Sequence, residues 1–342
     1  MENKIEDLFK YAFDEDFDPY PKRILDQKKY CILDIDDTLN SVNSPSLLSN
    51  IFSTLSSYNK KFRENLSEIS NLIRKAQNGE KEYMEKAKEK ILSCSLDKKL
   101  IEFACRKAAE NFRFVKNFYP AIIDIKKLGY DLYLISGSFD PAVRFLAQRF
   151  PKNLEIEVKG STLYFDNNML ADIDVMIGKN KANYVEKILS SDKADFCVFV
   201  TDDIILDKEL IELGMKYNFP TLLIGEKKEV SLTKEPLLIK AKFIRENAYE
   251  LFRLARIFET IIITSLQPYE KIENVKEICR KIFKSDKKEE VIDFAMKLYN
   301  LKRKNFNINE FYTNIIQAKY FDMEIEEIRK CIKRNFLEAH LI

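Results

Sequence analysis

The sequence predicts an α/β protein: a doubly wound, parallel, Rossmann-like sheet with an inserted helical-bundle cap, followed by an all-helical C-terminal domain. Three observations lead there. Short apolar runs, Cys31-Ile32-Leu33, Leu132-Tyr133-Leu134-Ile135 and Phe196-Cys197-Val198-Phe199-Val200, each stop at acids or hydroxyls. Parallel strands covered on both faces have that character, and they deliver polar groups to the crevice beyond their carboxyl ends. Helical patterns alternate with these runs, as in a βαβ series. The strand signal is missing from residues 41–114 and again from 226 onward, where helical patterning alone remains.

From the N-terminus, Ile5 to Phe13 reads as a short helix, and Pro19 and Pro21 as a connector into the first strand. After Thr38, Ser44-Pro45 has the form of a helix start, a capping hydroxyl before a proline at the first helical position. Amphipathic helices are expected at Leu47 to Tyr58, Phe62 to Ala76, Tyr83 to Leu92 and Lys99 to Phe112, with breaks at Asn78-Gly79 and Ser95-Leu96-Asp97. Their apolar stripes read as the core of a bundle. Ala121 to Leu128 is a helix stopped by Gly129, and the strand Leu132 to Ile135 ends at Ser136-Gly137-Ser138. A helix from Pro141 to Phe150, a strand from Leu154 to Val158 and a small hairpin within Gly160 to Leu170 follow. A helix opening near Lys181 leads to the strand Phe196 to Val200, a helix from Lys208 to Tyr217 and a last strand from Thr221 to Ile224. Leu237 to Thr264 reads as one long helical stretch, and Asp286-x-x-Glu289 and Asn307-x-x-Glu310 as capping boxes. The predicted domains are residues 1–40 with 115–225 for the α/β core, 41–114 for the cap, and 226–342 for the helical tail.

Composition narrows the chemistry. The 342 residues are 46% apolar, with 25 Phe and 16 Tyr, enough for sizeable cores. A formal net charge of +2 with interspersed signs implies neither a nucleic-acid nor a membrane partner. No run approaches the 18 or so apolar residues of a membrane span, and Met1 to Asp18 lacks the pattern of a secretory leader. The six cysteines include no CxxC pair and no short disulfide framework, which fits a reducing cytoplasm. The lone histidine, His340, lies two residues from the end, so Ser-His-Asp or Cys-His catalysis is disfavoured. With 7 glycines and no GxGxxG or P-loop pattern, a glycine-cradled nucleotide is disfavoured too. Carboxylates, lysines and hydroxyls must carry any chemistry.

Those groups fall at strand ends. Asp34 and Asp36 close the first strand, Ser136 the second, and Asp202, Asp203 and Asp207 follow the strand at Phe196 to Val200, while Lys179 and Lys181 open a helix nearby. Carboxylates converging in one crevice repel one another, so either some protonate or a cation joins them. Mg²⁺ suits such a site, because it takes oxygen ligands and shares its octahedron with water and substrate phosphate.

At this point the chain resembles the haloacid dehalogenase superfamily. The residues that carry the resemblance are Asp34-x-Asp36-x-Thr38, Ser136 after an apolar strand, a helix-opening lysine, and Asp203-x-x-x-Asp207, in the family order. Ser136-Gly137-Ser138-Phe139-Asp140 is similar to the corresponding segment of the phosphoserine phosphatase-like branch, and the helical insertion is placed like that family's cap. The resemblance covers roughly residues 28–225. It implies a Mg²⁺-dependent phosphatase in which Asp34 is the nucleophile and Asp36 the general acid and base. It further implies that Thr38, Ser136, Gly137 and Lys181 bind the phosphate, with Lys181 favoured over Lys179 by its spacing. Metal ligation would fall to Asp34, the backbone carbonyl of Asp36, Asp203 and Asp207, with Asp202 as the neighbour. Thr201 stands where the family commonly has glycine. Leu39-Asn40-Ser41-Val42-Asn43 lacks the acid expected to hold the amino group of phosphoserine.

The expected function is therefore phosphohydrolysis of a small phosphorylated metabolite. The alternative is a binding or regulatory protein on the same fold, whose helical tail docks a protein partner or forms a homo-oligomer.

Overall fold

The structure is a computed structural model and describes residues 28–80, 82–191, 193–225, 237–265 and 288–304. The expected N-terminal helix at Ile5 to Phe13 and both tail capping boxes lie wholly or partly outside the described residues.

The first strand, β1 (Lys29–Leu33), is buried along its whole length. Next come four helices, α1 (Leu47–Tyr58), α2 (Lys60–Gln77), α3 (Glu82–Leu92) and α4 (Lys98–Asn111). Ser46, Asn59 and Asp97 cap α1, α2 and α4, each side chain accepting a backbone N–H of the first turn. Buried Leu47, Ile51 and Leu55 of α1 and Ile101, Ala104 and Ala108 of α4 recur every three or four residues, so these helices pack along apolar stripes. The chain leaves and re-enters the sheet through adjacent strands of backbone: Ser41 N–H donates to Arg113 O (2.8 Å) and Val115 N–H to Leu39 O (2.9 Å).

After α5 (Phe118–Lys127) the chain forms β2 (Tyr130–Phe139), α6 (Asp140–Ala147), β3 (Glu157–Asp166) and β4 (Met169–Asp174). Then come α7 (Gly178–Ser191), β5 (Phe196–Thr201), α8 (Lys208–Tyr217), β6 (Thr221–Leu223) and β7 (Leu238–Lys240). The seven strands make one mixed, mostly parallel sheet in the order β4-β3-β2-β1-β5-β6-β7. The pairs β1–β5, β2–β3, β5–β6 and β6–β7 are parallel, and the β3–β4 hairpin is antiparallel. This is the mixed α/β, Rossmann-like architecture that the alternating pattern predicts. Among the described residues no helix is long and apolar enough to cross a membrane.

Three elements differ from expectation. β2 runs through Ser136-Gly137-Ser138 instead of stopping there, with an irregular register between Ile135 and Phe139 that lets the strand bend at the site. The hairpin is longer than expected and turns on Asn167 and Asn168, both at positive φ, as a two-residue hairpin turn requires. Leu237 to Thr264 is not one helix. Leu238–Lys240 extends the sheet as β7, so the segment beyond residue 226 is not purely helical.

The chain divides into two compact units. One contains Lys29–Ala121 and Asp131–Tyr249, so residues 41–114 and the sheet fall in the same unit. The other contains Ile122–Tyr130 and the chain from Glu250 onward. Its described helices are α9 (Tyr249–Ser265) and α10 (Lys288–Lys304), where Val291, Ile292, Ala295 and Leu298 are buried at helical spacing and the rings of Phe258 and Phe294 lie 6.0 Å apart.

Gly225, just past β6, sits against the turn that follows β5. A Cβ there would lie 1.8 Å from the backbone oxygen of Asp202, so any larger residue must push that turn aside. Gly225→Ala is expected to cost about 1–3 kcal/mol of stability, read as a lowered urea midpoint.

Candidate active site

β1 hands its ladder to the site without a gap, because Asp34 N–H donates to Val200 O of β5 at 2.9 Å. The chain then turns sharply: Leu39 N–H bonds Ile35 O, and Asp37 takes a left-handed φ of 54°. Asp34 thus stands at the strand end and Asp36 inside the turn, and both line one cavity.

Lys181 lies in the first turn of α7 and is 2% exposed, an unusual setting for a lysine. Its Nζ reaches Asp34 Oδ1 at 2.7 Å and Asp207 Oδ2 at 2.8 Å. Lys179, two residues earlier, is exposed. Burial disfavours the Lys181 ammonium, but Asp207 and Asp34 more than offset that and hold its pKa above the ordinary lysine value. Thr201, at the end of β5, donates to the same Asp207 oxygen at 2.6 Å.

Asp36 is held from three sides. Ser136 Oγ and Ser138 Oγ both donate to its Oδ2, at 3.0 and 2.6 Å, and Leu48 N–H, in the first turn of α1, donates to its Oδ1 at 3.2 Å. Ser136 and Ser138 are two residues apart on a strand and so share a face. Burial raises the Asp36 pKa against these donors. The Ser136 hydroxyl, expected on phosphate, here rests on the general acid candidate. Ser138 was not among the expected site residues; the i, i+2 spacing from Ser136 was the signal that would have found it.

Thr38 is fully buried, with its Oγ1 3.4 Å from Asp34 Oδ2 and 3.3 Å from Asp202 Oδ1. Asp202 therefore faces Asp34. Asp203, expected in that place, instead accepts the N–H groups of Ile205 (2.8 Å) and Leu206 (3.1 Å) through Oδ1. An Asp that bonds the backbone two residues on makes an Asx turn, and the residue before it on an extended chain points the other way. Asp202 and Asp203 both line the cavity, with Asp202 meeting Thr38 beside Asp34 and one Asp203 oxygen turned to the backbone.

Asp34 and Asp207 thus hold the one ammonium, and Asp36 and Asp202 line the same cavity. Burial pushes the Asp34 pKa up to about 7; Lys181 opposes that, while Asp207 and Asp36 add to it. Asp202 is raised well above the ordinary carboxylate value by burial and by the nearby Asp34 charge. Such a site holds more negative charge than its own lysine offsets, which fits a divalent cation with oxygen ligands. Among the described residues no three His, Cys, Asp or Glu side chains form a ready-made cage. Gly137 lines the same cavity, and a Cβ there would meet Ile177 Cγ2 at 3.0 Å.

No protein-family model and no curated protein matches the chain. Solved structures do resemble it. One is a phospho-aspartyl intermediate analogue of phosphoserine phosphatase, 18% identical over 64% of this chain and 97% of that one, with a TM-score of 0.45. A phosphoserine phosphatase from T. onnurineus is 15% identical over 68% and 97%, at 0.43. A cytosolic 5'-nucleotidase IIIB bound to cytidine is 13% identical over 65% and 77%, at 0.42. At these identities the side chains of the site carry the functional reading.

The raised Asp34 pKa fixes a pH dependence. The folded protein keeps this proton up to about pH 7, whereas an unfolded Asp loses it near pH 3.9. The folded state therefore binds more protons in that window, and its advantage, full below the unfolded value, is lost as pH rises through the folded one. In EDTA, Tm is expected to fall between pH 5 and 8, with Mg²⁺ restoring it more at pH 8 than at pH 5; a melting series with and without Mg²⁺ checks both.

Proposed function

We propose that this chain is a Mg²⁺-dependent phosphohydrolase of small phosphate monoesters, with Asp34 as nucleophile and Asp36 as general acid and base. The observation that carries this reading is the pair of differently held carboxylates on one cavity: Asp34 against the Lys181 ammonium, and Asp36 against hydroxyl and amide donors. Burial raises both carboxylates, but Asp34 has a fixed cation opposing that rise whereas Asp36 has only neutral hydroxyl and amide donors, so the two are set for different roles. So many polar groups converging in a buried crevice favour catalysis over the purely regulatory alternative.

In the first step an Asp34 oxygen bonds to phosphorus as the ester P–O bond breaks. Asp36 gives its proton to the departing oxygen, which leaves as an alcohol. In the second step Asp36, now a carboxylate, takes a proton from water as the water oxygen bonds to phosphorus. The Asp34–phosphorus bond breaks, inorganic phosphate is released and both aspartates return to their starting states. Lys181 and Thr38 hold phosphoryl oxygens and stabilise their charge. Lys181 also restrains Asp34, while Asp207 and Thr201 restrain Lys181. Asp34, the backbone carbonyl of Asp36 and Asp202, with Asp203 and Asp207 on the same cavity, would hold Mg²⁺, which would supply charge neutralisation on the phosphoryl group. Convergent electrostatics on this scale suits a reaction whose acceleration reaches about 10²¹-fold.

Phosphate release from a panel of monoesters is expected with Mg²⁺ and not with EDTA, and Asp34→Asn is expected to lower it by at least about 10³-fold. Activity that survives both treatments contradicts the mechanism. Ser138→Ala removes a donor that holds the Asp36 pKa down, so the alkaline limb of the kcat pH profile is expected to move to higher pH, with Ser138→Thr restoring it.

A further inference from the structure

The cavity that holds Asp34 and Asp36 has a volume of about 300 Å³ and two unlike walls. All of its charged lining residues come from the strand ends and helix starts of the sheet. Among the described residues, the side facing residues 41–114 is built without charge: Ser49 and Phe52 of α1, Ser70, Ile73 and Gln77 of α2, and Met84 of α3, with the first turn of α1 beside them. The lone cation in the lining is Lys181, whose Nζ already contacts Asp34 and Asp207.

A second cavity of about 600 Å³ adjoins the first and shares Met84, Val175, Ile177 and Leu206 with it, so the boundary between them is apolar. The larger cavity carries more acids than bases. Glu85, Asp172, Asp174 and Glu209 stand against Lys88 and Lys179, and Lys88 is bound to Asp172 at 2.8 Å. A leaving group that reached past this apolar boundary would meet excess negative charge.

Resting on the phosphatase reading above, we infer that the substrate is a phosphate monoester of a short neutral alcohol, a polyol whose phosphate is its one charged group. The sheet side of the cavity, with its cation, serves the phosphate. The opposite wall offers hydroxyl and amide groups to sugar-like or glycerol-like hydroxyls and apolar surface to the carbon chain. A carboxylate or second phosphate on the leaving group would be buried facing that uncharged wall, and desolvating an unpaired anion is costly. Amino-acid phosphates, phosphorylated carboxylic acids and bisphosphates are therefore poor substrates.

Two three-carbon esters test this directly. Glycerol 3-phosphate and 3-phosphoglycerate differ by a hydroxymethyl group against a carboxylate. With Mg²⁺, kcat/KM is expected to be at least about 100-fold higher for the first. Ser70→Lys, which adds a cation to the exposed edge of the neutral wall, is expected to narrow that ratio by raising turnover of 3-phosphoglycerate. Equal turnover of the two esters, preference for 3-phosphoglycerate, or turnover of p-nitrophenyl phosphate with neither ester overturns the inference while leaving the phosphatase reading standing, provided Asp34→Asn abolishes the activity seen. Failure to hydrolyse any of the three compounds removes both.

Discussion

The site depends on one buried ammonium. Lys181 Nζ joins Asp34 at the end of β1 to Asp207 at the start of α8, and so ties together three segments far apart in sequence. A lysine at 2% exposure is tolerable only while both carboxylates remain. Removing one partner of such a pair costs about 3–5 kcal/mol, because it strands the other charge. Thr201 adds a hydroxyl to Asp207, and Gly225 gives the Asp202 backbone room to turn. Position and charge are thus one design: the contacts that fix Asp34 also leave the crevice with more negative charge than one lysine offsets. In the proposed mechanism a cation and a phosphate would answer that excess together.

Asp36 is placed by a different logic. Its carboxylate is pinned to the sheet by Ser136 and Ser138 and to α1 by Leu48 N–H. The donor from α1 belongs to the same helix that presents Ser49 and Phe52 to the cavity. The cavity wall and the environment of Asp36 therefore share one element. A shift of α1 against the sheet would alter both the space for the leaving group and the donors on Asp36, the coupling expected where binding energy helps assemble a catalytic site.

Much of this was legible in the residues because buried parallel strands are apolar runs with polar ends. Asp34, Asp36 and Thr38 follow directly from the run at Cys31 to Leu33, and helix limits such as Lys208–Tyr217 follow from capping and periodicity. What escaped the sequence depended on contacts local to the fold. β7 has three residues, too few to show a period of two, and its leucine and isoleucine read equally well as the start of a helix. That Asp202 meets Thr38 while an Asp203 oxygen bonds the backbone depends on an Asx turn, which spacing between motifs does not encode. Ser138 was hidden because the strand was expected to end at Ser136, and only a strand continuing to Phe139 sets the two hydroxyls on one face.

The central claim is that Asp34 bonds to phosphorus, and trapping that bond tests it most directly. With p-nitrophenyl phosphate the leaving group departs without a proton, so Asp36→Asn slows chiefly the water step and the intermediate accumulates. Acid quenching followed by peptide mass spectrometry is expected to place a phosphoryl group on the peptide bearing Asp34, after a burst of nitrophenol stoichiometric with enzyme. Sustained turnover with no burst and no phosphoryl group on Asp34 would contradict the account.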